Sequence, residues 1–328
     1  MKIKIILLLL IITSCKDNTP KTYKIPYTVL TDQIYTRLPG KLLLDKNYLI
    51  WQDPFISKDF IKIINTQSGE QVGEAGIIGK GPEEFITPSI GNCIDNKIIV
   101  YDLNSSKQAF FFINNIINHQ KYHYPLSLSS IPPKFPIIAI DSLSFISIND
   151  SLPSPLQLIR KDSIIQTFGE PIISGNFNNR SEYFQCNLFY DIYNGYLLCL
   201  HPHLSHITLY QNKGENFSLY SFKHPQKYDY IIENQKIKIK EPEIKILDIT
   251  FTQDYIVTIE INKKDTKDIS NLPSILHLYD YHFRLQHVID LEIPLLRLAA
   301  DSRSNTLYAI ALNEGYSIIQ CSLPNRIN

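Results

Sequence analysis

Long stretches rich in alanine, leucine and glutamate are missing from this 328-residue chain, and methionine occurs once. That absence argues against a helical architecture. Isoleucine, tyrosine and phenylalanine are abundant instead, and such side chains suit a pleated, half-buried surface. An excess of charge is missing too: 32 basic side chains face 32 acidic ones. Nucleic-acid binding rests on clustered Lys and Arg, so the balance excludes nucleic acid as the expected partner. The densest charge run, Lys236 to Glu243, alternates lysine with isoleucine and then changes sign, as in an edge strand whose lysines discourage pairing.

Cysteines in metal-binding order are absent as well. Beyond residue 15 the chain has Cys93, Cys186, Cys199 and Cys321, with no C-x-x-C and no zinc-ligand spacing. Cys186 and Cys199 flank the turn region Asp191 to Gly195 and could face each other on neighbouring strands, as a disulfide or as small buried hydrophobes. Glycine is scarce, yet several of the 12 glycines crowd into Gly76-Ile-Ile-Gly-Lys-Gly-Pro-Glu-Glu-Phe85. A phosphate loop of the form G-x-x-x-x-G-K-[ST] fails there. Glu74 stands where the first glycine belongs, Gly81 replaces the Ser or Thr, and Pro82 and Pro88 preclude the helix that must follow. No cofactor is expected.

The N-terminus carries an address. Lys2 and Lys4 precede the apolar run Ile5 to Ile12, which is too short for a bilayer span of roughly 20 residues but fits a secretory signal. Ile12-Thr13-Ser14-Cys15 resembles a bacterial lipobox. The resemblance implies cleavage before Cys15, a diacylglycerol on its thiol, and a stable anchor from several acyl chains. Residues 1–14 are then the signal peptide, residues 15–22 a polar tether, and residues 23–328 one domain. Lys16 after the cysteine favours, by the same resemblance, an outer-membrane lipoprotein.

A pattern then recurs, in which a turn residue leads into four to six apolar residues. It begins at Asn47, Asn96, Ser144, Gly195, Asp254 and Asn305, and a second apolar strand follows each copy. About fifty residues per copy is the size of one four-stranded propeller blade. Six copies predict an all-β, six-bladed β-propeller, with a two-domain β-sandwich as the structural alternative. The long interval after the fourth copy predicts an extended hairpin near Tyr228 to Pro242. The last blade lacks a strand, so Tyr23 to Leu30 is expected to close the ring against the strand near Ile318.

Glu74 to Phe85, with Pro88 and the strand Asn96 to Asp102 after it, resembles an NHL-type propeller repeat. The lipobox, this single G-P-x-E-F turn and the strand Asp301 to Ala309 make the chain similar to TolB-like six-bladed propeller lipoproteins. The resemblance implies a propeller on the cell envelope and carries no activity. Gly79, Gly81, Pro82 and Phe85 are accordingly expected to form the corner between the first two blades.

His201, His203 and His206 are the metal candidates, but Pro202 places them in a turn, where exposed histidines are the expected case. Asp53, Asp102 and Asp150 each lie six residues after their repeat's start; repetition favours turn capping over a ring of catalytic carboxylates. The expected function is a lipid-anchored binding scaffold for an envelope protein or an oligomeric ligand. The rival is a hydrolase or lyase in the central channel, with or without a metal, and converging histidines and carboxylates there would favour it.

Overall fold

The computed structural model describes residues 20–56, 58–105, 107–125, 136–149, 154–161, 163–214, 216–240, 242–262 and 271–326. Residues 1–14, expected to be a signal peptide, and Cys15 and Asp150 lie outside the described residues. Six sheets form the blades, each of four antiparallel strands, and blade 5 carries a fifth, parallel strand on its outer edge. Blade 1 holds Leu42–Asp45, Tyr48–Gln52, Lys58–Asn65 and Gln71–Ile77, from the inner strand outward. Blade 2 holds Pro88–Ile94, Lys97–Asp102, Gln108–Phe112 and His123–Pro125. Blade 3 holds Ile137–Ala139, Ser144–Ile148, Leu156–Arg160 and Ser163–Phe168. Blade 4 holds Asn187–Asp191, Tyr196–His201, His206–Asn212 and Phe217–Lys223. Blade 5 holds Ile244–Phe251, Ile256–Asn262, Ile275–Tyr279 and Leu285–Asp290. Blade 6 holds Leu295–Ala300, Thr306–Asn313 and Gly315–Ser322.

The second strand of each blade explains why the ring holds. Successive side chains of a strand point to opposite faces, so each such strand must bury both. In blade 1, Leu49 and Trp51 pack towards blade 6 while Ile50 packs towards blade 2. In blade 2, Ile98 and Val100 face blade 1 while Ile99 and Tyr101 face blade 3. In blade 4, Leu197 and Cys199 face blade 3, and Leu198 and Leu200 face blade 5. Each seam thus owns one apolar cluster, and each fully buried Ile or Leu is worth roughly 1.5–3 kcal/mol. A continuous apolar run needs a neighbour on both sides, which only a closed ring supplies to every blade.

Closure comes from the N-terminus. Tyr27–Ile34 pairs antiparallel with Gly315–Ser322, matching Val29 with Ile319 and Tyr27 with Cys321. The expected strand from Tyr23 is interrupted, however. Thr22–Lys24 instead lies parallel on the outer edge of blade 5, with Tyr23 opposite Ile289. Pro26, which has no N–H to give a ladder, separates the two short pairings.

The corner from blade 1 to blade 2 runs through Gly76 to Phe85. Gly76 has φ of +94°, and a Cβ there would stand 2.3 Å from the Phe60 ring. The Gly79 N–H donates to the Phe85 carbonyl at 2.9 Å, and the Gly81 N–H donates to the Glu84 carboxylate at 2.7 Å. Pro82 sits exposed at the tip, while buried Phe85 meets Phe60 and Phe111 edge-on.

Aspartates punctuate the turns. Asp53 accepts the Phe55 N–H and the Thr36 hydroxyl, and Asp102 accepts the N–H groups of Ile86, Asn104 and Ser105. Asp191 and Asp280 cap their own turns in the same way. The insertion after blade 4 is a hairpin of Tyr230–Glu233 and Lys236–Ile239. Its Ile237 is buried against Ile173, Phe177, Phe184 and Leu204. Among the described residues no helix is long and apolar enough to cross a membrane.

Candidate functional site

Two cavities hold side chains that could recognise a ligand. The first is the central channel, with a volume of about 140 Å³. Inner strands of all six blades line it, and the sequence reading named none of its deep polar residues. Lys41, at the start of blade 1, reaches inward. Its ammonium donates to the Gly91 carbonyl at 2.5 Å and lies 5.4 Å from the Phe189 ring. Burial pushes the Lys41 amine down to about 8 even though Asp248 opposes the shift. Burial also raises the Asp248 carboxyl, against the pull of Arg297 and the Leu298 N–H it accepts at 2.7 Å. The Cys93 thiol is raised for the same reason.

Contacts between opposing turns narrow one mouth of the channel. The Ser302 hydroxyl of blade 6 donates to Asp191 of blade 4 at 2.5 Å. The Arg303 guanidinium lies 4.3 Å from the Tyr193 ring centroid and also pairs with Asp301. No histidine lines this channel, and Asp191, Asp248 and Asp301 each already hold hydrogen-bond donors. Those three carboxylates serve the walls of the ring, while Asp45, raised by burial, is a fourth in the lining.

The candidate histidines sit elsewhere. His201 ends the second strand of blade 4 and His206 begins the third, directly opposite in register, with ring centroids 5.9 Å apart. His201 is buried and pushed down to about 3, first by desolvation and then by His206. His203 lies exposed in the turn between them, edge-on to Tyr183. Both ring nitrogens of His206 are engaged: Nδ1 by the Tyr228 hydroxyl at 2.5 Å and Nε2 by the Thr208 hydroxyl at 2.8 Å. Among the described residues no group of three His, Cys, Asp or Glu side chains is arranged to hold a metal ion. Cys186 and Cys199 are free thiols, both buried.

His206 belongs instead to the second cavity, a cleft of about 440 Å³ between the outer strands of blades 3 and 4. Its floor is built by a side-chain bridge across the seam. The Gln166 side chain of blade 3 bridges to the Phe217 backbone of blade 4, donating to its carbonyl at 2.9 Å and accepting its N–H at 2.8 Å. That bridge stacks Phe168 on Phe217, with centroids 5.3 Å apart and planes within 6°, while Tyr210 stands edge-on to Phe168. Gly169, at φ of +90°, turns the chain away and lets Glu170 to Ile172 form the far wall.

The near wall is the last part of blade 4. Leu219 and Phe222 are 53% and 51% exposed, so more than half of each apolar side chain faces the solvent that a ligand would displace. The rings of Phe222, His224 and His206 are near-parallel: 5.4 Å and 20° for the first pair, 6.5 Å and 4° for Phe222 with His206. Tyr228 continues the wall towards the insertion hairpin. Desolvation, then the neighbouring His224, pushes His206 down to about 4, and burial pushes the Tyr228 phenol up to about 12. Both are neutral near pH 7. Among the described residues Glu170 is the one acidic side chain of the lining, and no Lys or Arg joins it. Sequence reading missed this cleft because its parts come from three separated stretches, around Phe168, His206 and Phe222.

No protein-family model and no curated protein matches the chain. Solved structures do. A Bacteroides fragilis protein thought to be exported is 15% identical, with a TM-score of 0.58 over 90% of this chain and 93% of the other. A member of the DUF4221 family from Bacteroides vulgatus is 13% identical, with a TM-score of 0.58 over 92% and 97%. At such identities the likeness is one of fold.

Proposed function

We propose that this chain is a lipid-anchored binding scaffold of the cell envelope, and that its ligand enters the cleft between blades 3 and 4. The observation that carries the reading is the cleft itself. Its volume falls within the range of small-molecule sites, roughly 300–1,000 Å³, and a mostly aromatic lining surrounds a few convergent polar groups. The channel is a third of that size. The lipobox at Cys15 supports the anchor, and the structural likeness to a protein thought to be exported agrees with an envelope location.

Channel chemistry is the rival reading, and the Lys41 amine, held down to about 8, is the observation in its favour. One comparison separates the two. Ligand-observed NMR against a fragment library should find binders that Phe222→Ala weakens and Lys41→Met leaves alone. The opposite pattern moves the function into the channel. For the anchor, Cys15→Ala should shift the protein from the membrane to the soluble fraction, and a variant that stays with membranes refutes it.

A further inference from the structure

The cleft's chemistry narrows the ligand to one class. We infer that it is a glycan-binding site, in which a pyranose ring of a neutral oligosaccharide stacks along the Phe222 and His224 rings while its hydroxyls meet the polar rim. The inference rests on the cleft being the binding position.

Three features carry it. Charge comes first: among the described residues Glu170 is the one acidic side chain and no Lys or Arg lines the cleft, so phosphorylated, sulfated or carboxylated ligands meet no cationic partner there and one carboxylate. Ring geometry comes second. A cage for an alkylammonium group needs aromatic faces converging from several directions. Here His206, Phe222 and His224 lie within 20° of parallel and Tyr228 tilts from His206 and His224 by 34° and 38°, so this wall presents a surface suited to a flat apolar face. The C–H face of a pyranose is such a face, and exposed aromatic surface gains by covering it.

The rim comes third. The Tyr228 hydroxyl and the Glu170 carboxylate stand at the opening, and the hydroxyls of buried Thr208 and Tyr210 lie deeper in the same lining, so acceptors and donors are mixed along it. The His206 imidazole holds the Tyr228 and Thr208 hydroxyls on its two nitrogens and thereby fixes where they stand. A purely apolar ligand would strip water from these groups without replacing its hydrogen bonds, at a cost in affinity. A polyhydroxylated ring replaces them.

The test uses the mature chain without its signal peptide, screened on an array of neutral and acidic oligosaccharides and followed by isothermal titration with the best neutral hit. Expected are binding to neutral glycans, a Kd raised about tenfold or more in Phe222→Ala and in Tyr228→Phe, and an unchanged Kd in Lys41→Met. Circular dichroism and thermal melting of each variant establish that the ring is intact; Phe222 is exposed, so its truncation should leave the fold in place. Preference for acidic glycans, or neutral binding indifferent to Phe222→Ala, overturns the inference. If no glycan binds but a fragment or peptide does and Phe222→Ala abolishes it, the cleft stands as the scaffold's site and only the sugar assignment falls. Fragment binding that is lost in Lys41→Met but kept in Phe222→Ala removes both.

Discussion

Lys223 at the outer edge of blade 4 and Glu260 in blade 5 form an ion pair of 2.6 Å across the seam between their blades. The Tyr279 hydroxyl lies 2.7 Å from the same ammonium and donates to the same carboxylate at 2.8 Å, and the Thr258 hydroxyl adds a further donor at 3.2 Å. Burial alone would raise the Glu260 carboxyl, but Lys223, with His277 and Tyr279, outweighs it and holds the group below its ordinary value. Polar cohesion therefore reinforces the apolar contacts at this seam. Glu260→Gln should lower unfolding free energy by about 1–3 kcal/mol, because it strands a partly buried ammonium. Urea denaturation checks this, and Lys223→Met combined with Glu260→Leu should recover much of the loss.

Truncation separates the two N-terminal pairings. Starting the chain at residue 26 removes the three-residue parallel strand on blade 5 together with Tyr23 and Ile25, which pack against the blade 5–6 core, and should lower the melting temperature by several degrees while leaving the transition cooperative. Starting it at residue 36 removes the strand that completes blade 6 and exposes the Gly315–Ser322 edge. The second variant should lose its cooperative thermal transition or aggregate.

Lys41 works against the fold at neutral pH. Its amine has a folded pKa of about 8 against an ordinary 10.5, so the folded state resists protonation. That penalty is complete below about pH 8 and fades as pH rises towards 10.5. Lys41→Met should therefore stabilise the ring at pH 7 by on the order of 1–3 kcal/mol, with the advantage shrinking above pH 9. Denaturation of both proteins at pH 7 and pH 10 checks the sign.

The blade 4 histidines act at the acid end. His201 and His206 are held at about 3 and about 4, below the ordinary 6.5, so the folded state favours their neutral forms. The unfolded chain takes up the protons first as pH falls through 6.5, and stability declines from there towards pH 4. A melting series from pH 7 to pH 4 should show that decline. His206→Gln should flatten part of it.

Gly76 and Gly214 test steric need against backbone preference. Both have positive φ, +94° and +87°, but a Cβ at Gly76 meets Phe60 at 2.3 Å whereas nothing lies within 4 Å at Gly214. Gly214→Ala should cost about 1 kcal/mol from strain alone. Gly76→Ala should cost clearly more, because the Phe60 ring must leave the blade 1–2 core.

Much of this architecture was legible in the sequence because turn residues and buried strands recur together. Asn47, Asn96, Ser144, Gly195, Asp254 and Asn305 each stand at or just before a blade's second strand, whose side chains are buried on both faces. The hairpin near Tyr228 to Pro242 was legible as extra length with alternating lysine and isoleucine. Pro26 was present in the expected closing strand, yet its consequence, two pairings on two blades, needed the register. The sites were hardly legible. Lys41 and Asp248 are unremarkable until the ring brings blades 1 and 5 around one axis, and Phe168 meets Phe217 only across a seam. A local pattern encodes strands well, whereas cavities arise from residues that are distant in the chain.

The divided N-terminal strand also has a mechanical meaning. Tension applied to the chain ahead of Thr22 reaches the short joint Thr22–Lys24 on blade 5 before it reaches the eight-residue joint Tyr27–Ile34 that closes the ring. The first joint can peel and release more chain while the second stays zipped. Pulling from that end therefore spends itself first on a small expendable seam at the edge of blade 5 and spares the closing strand until the peeling is complete.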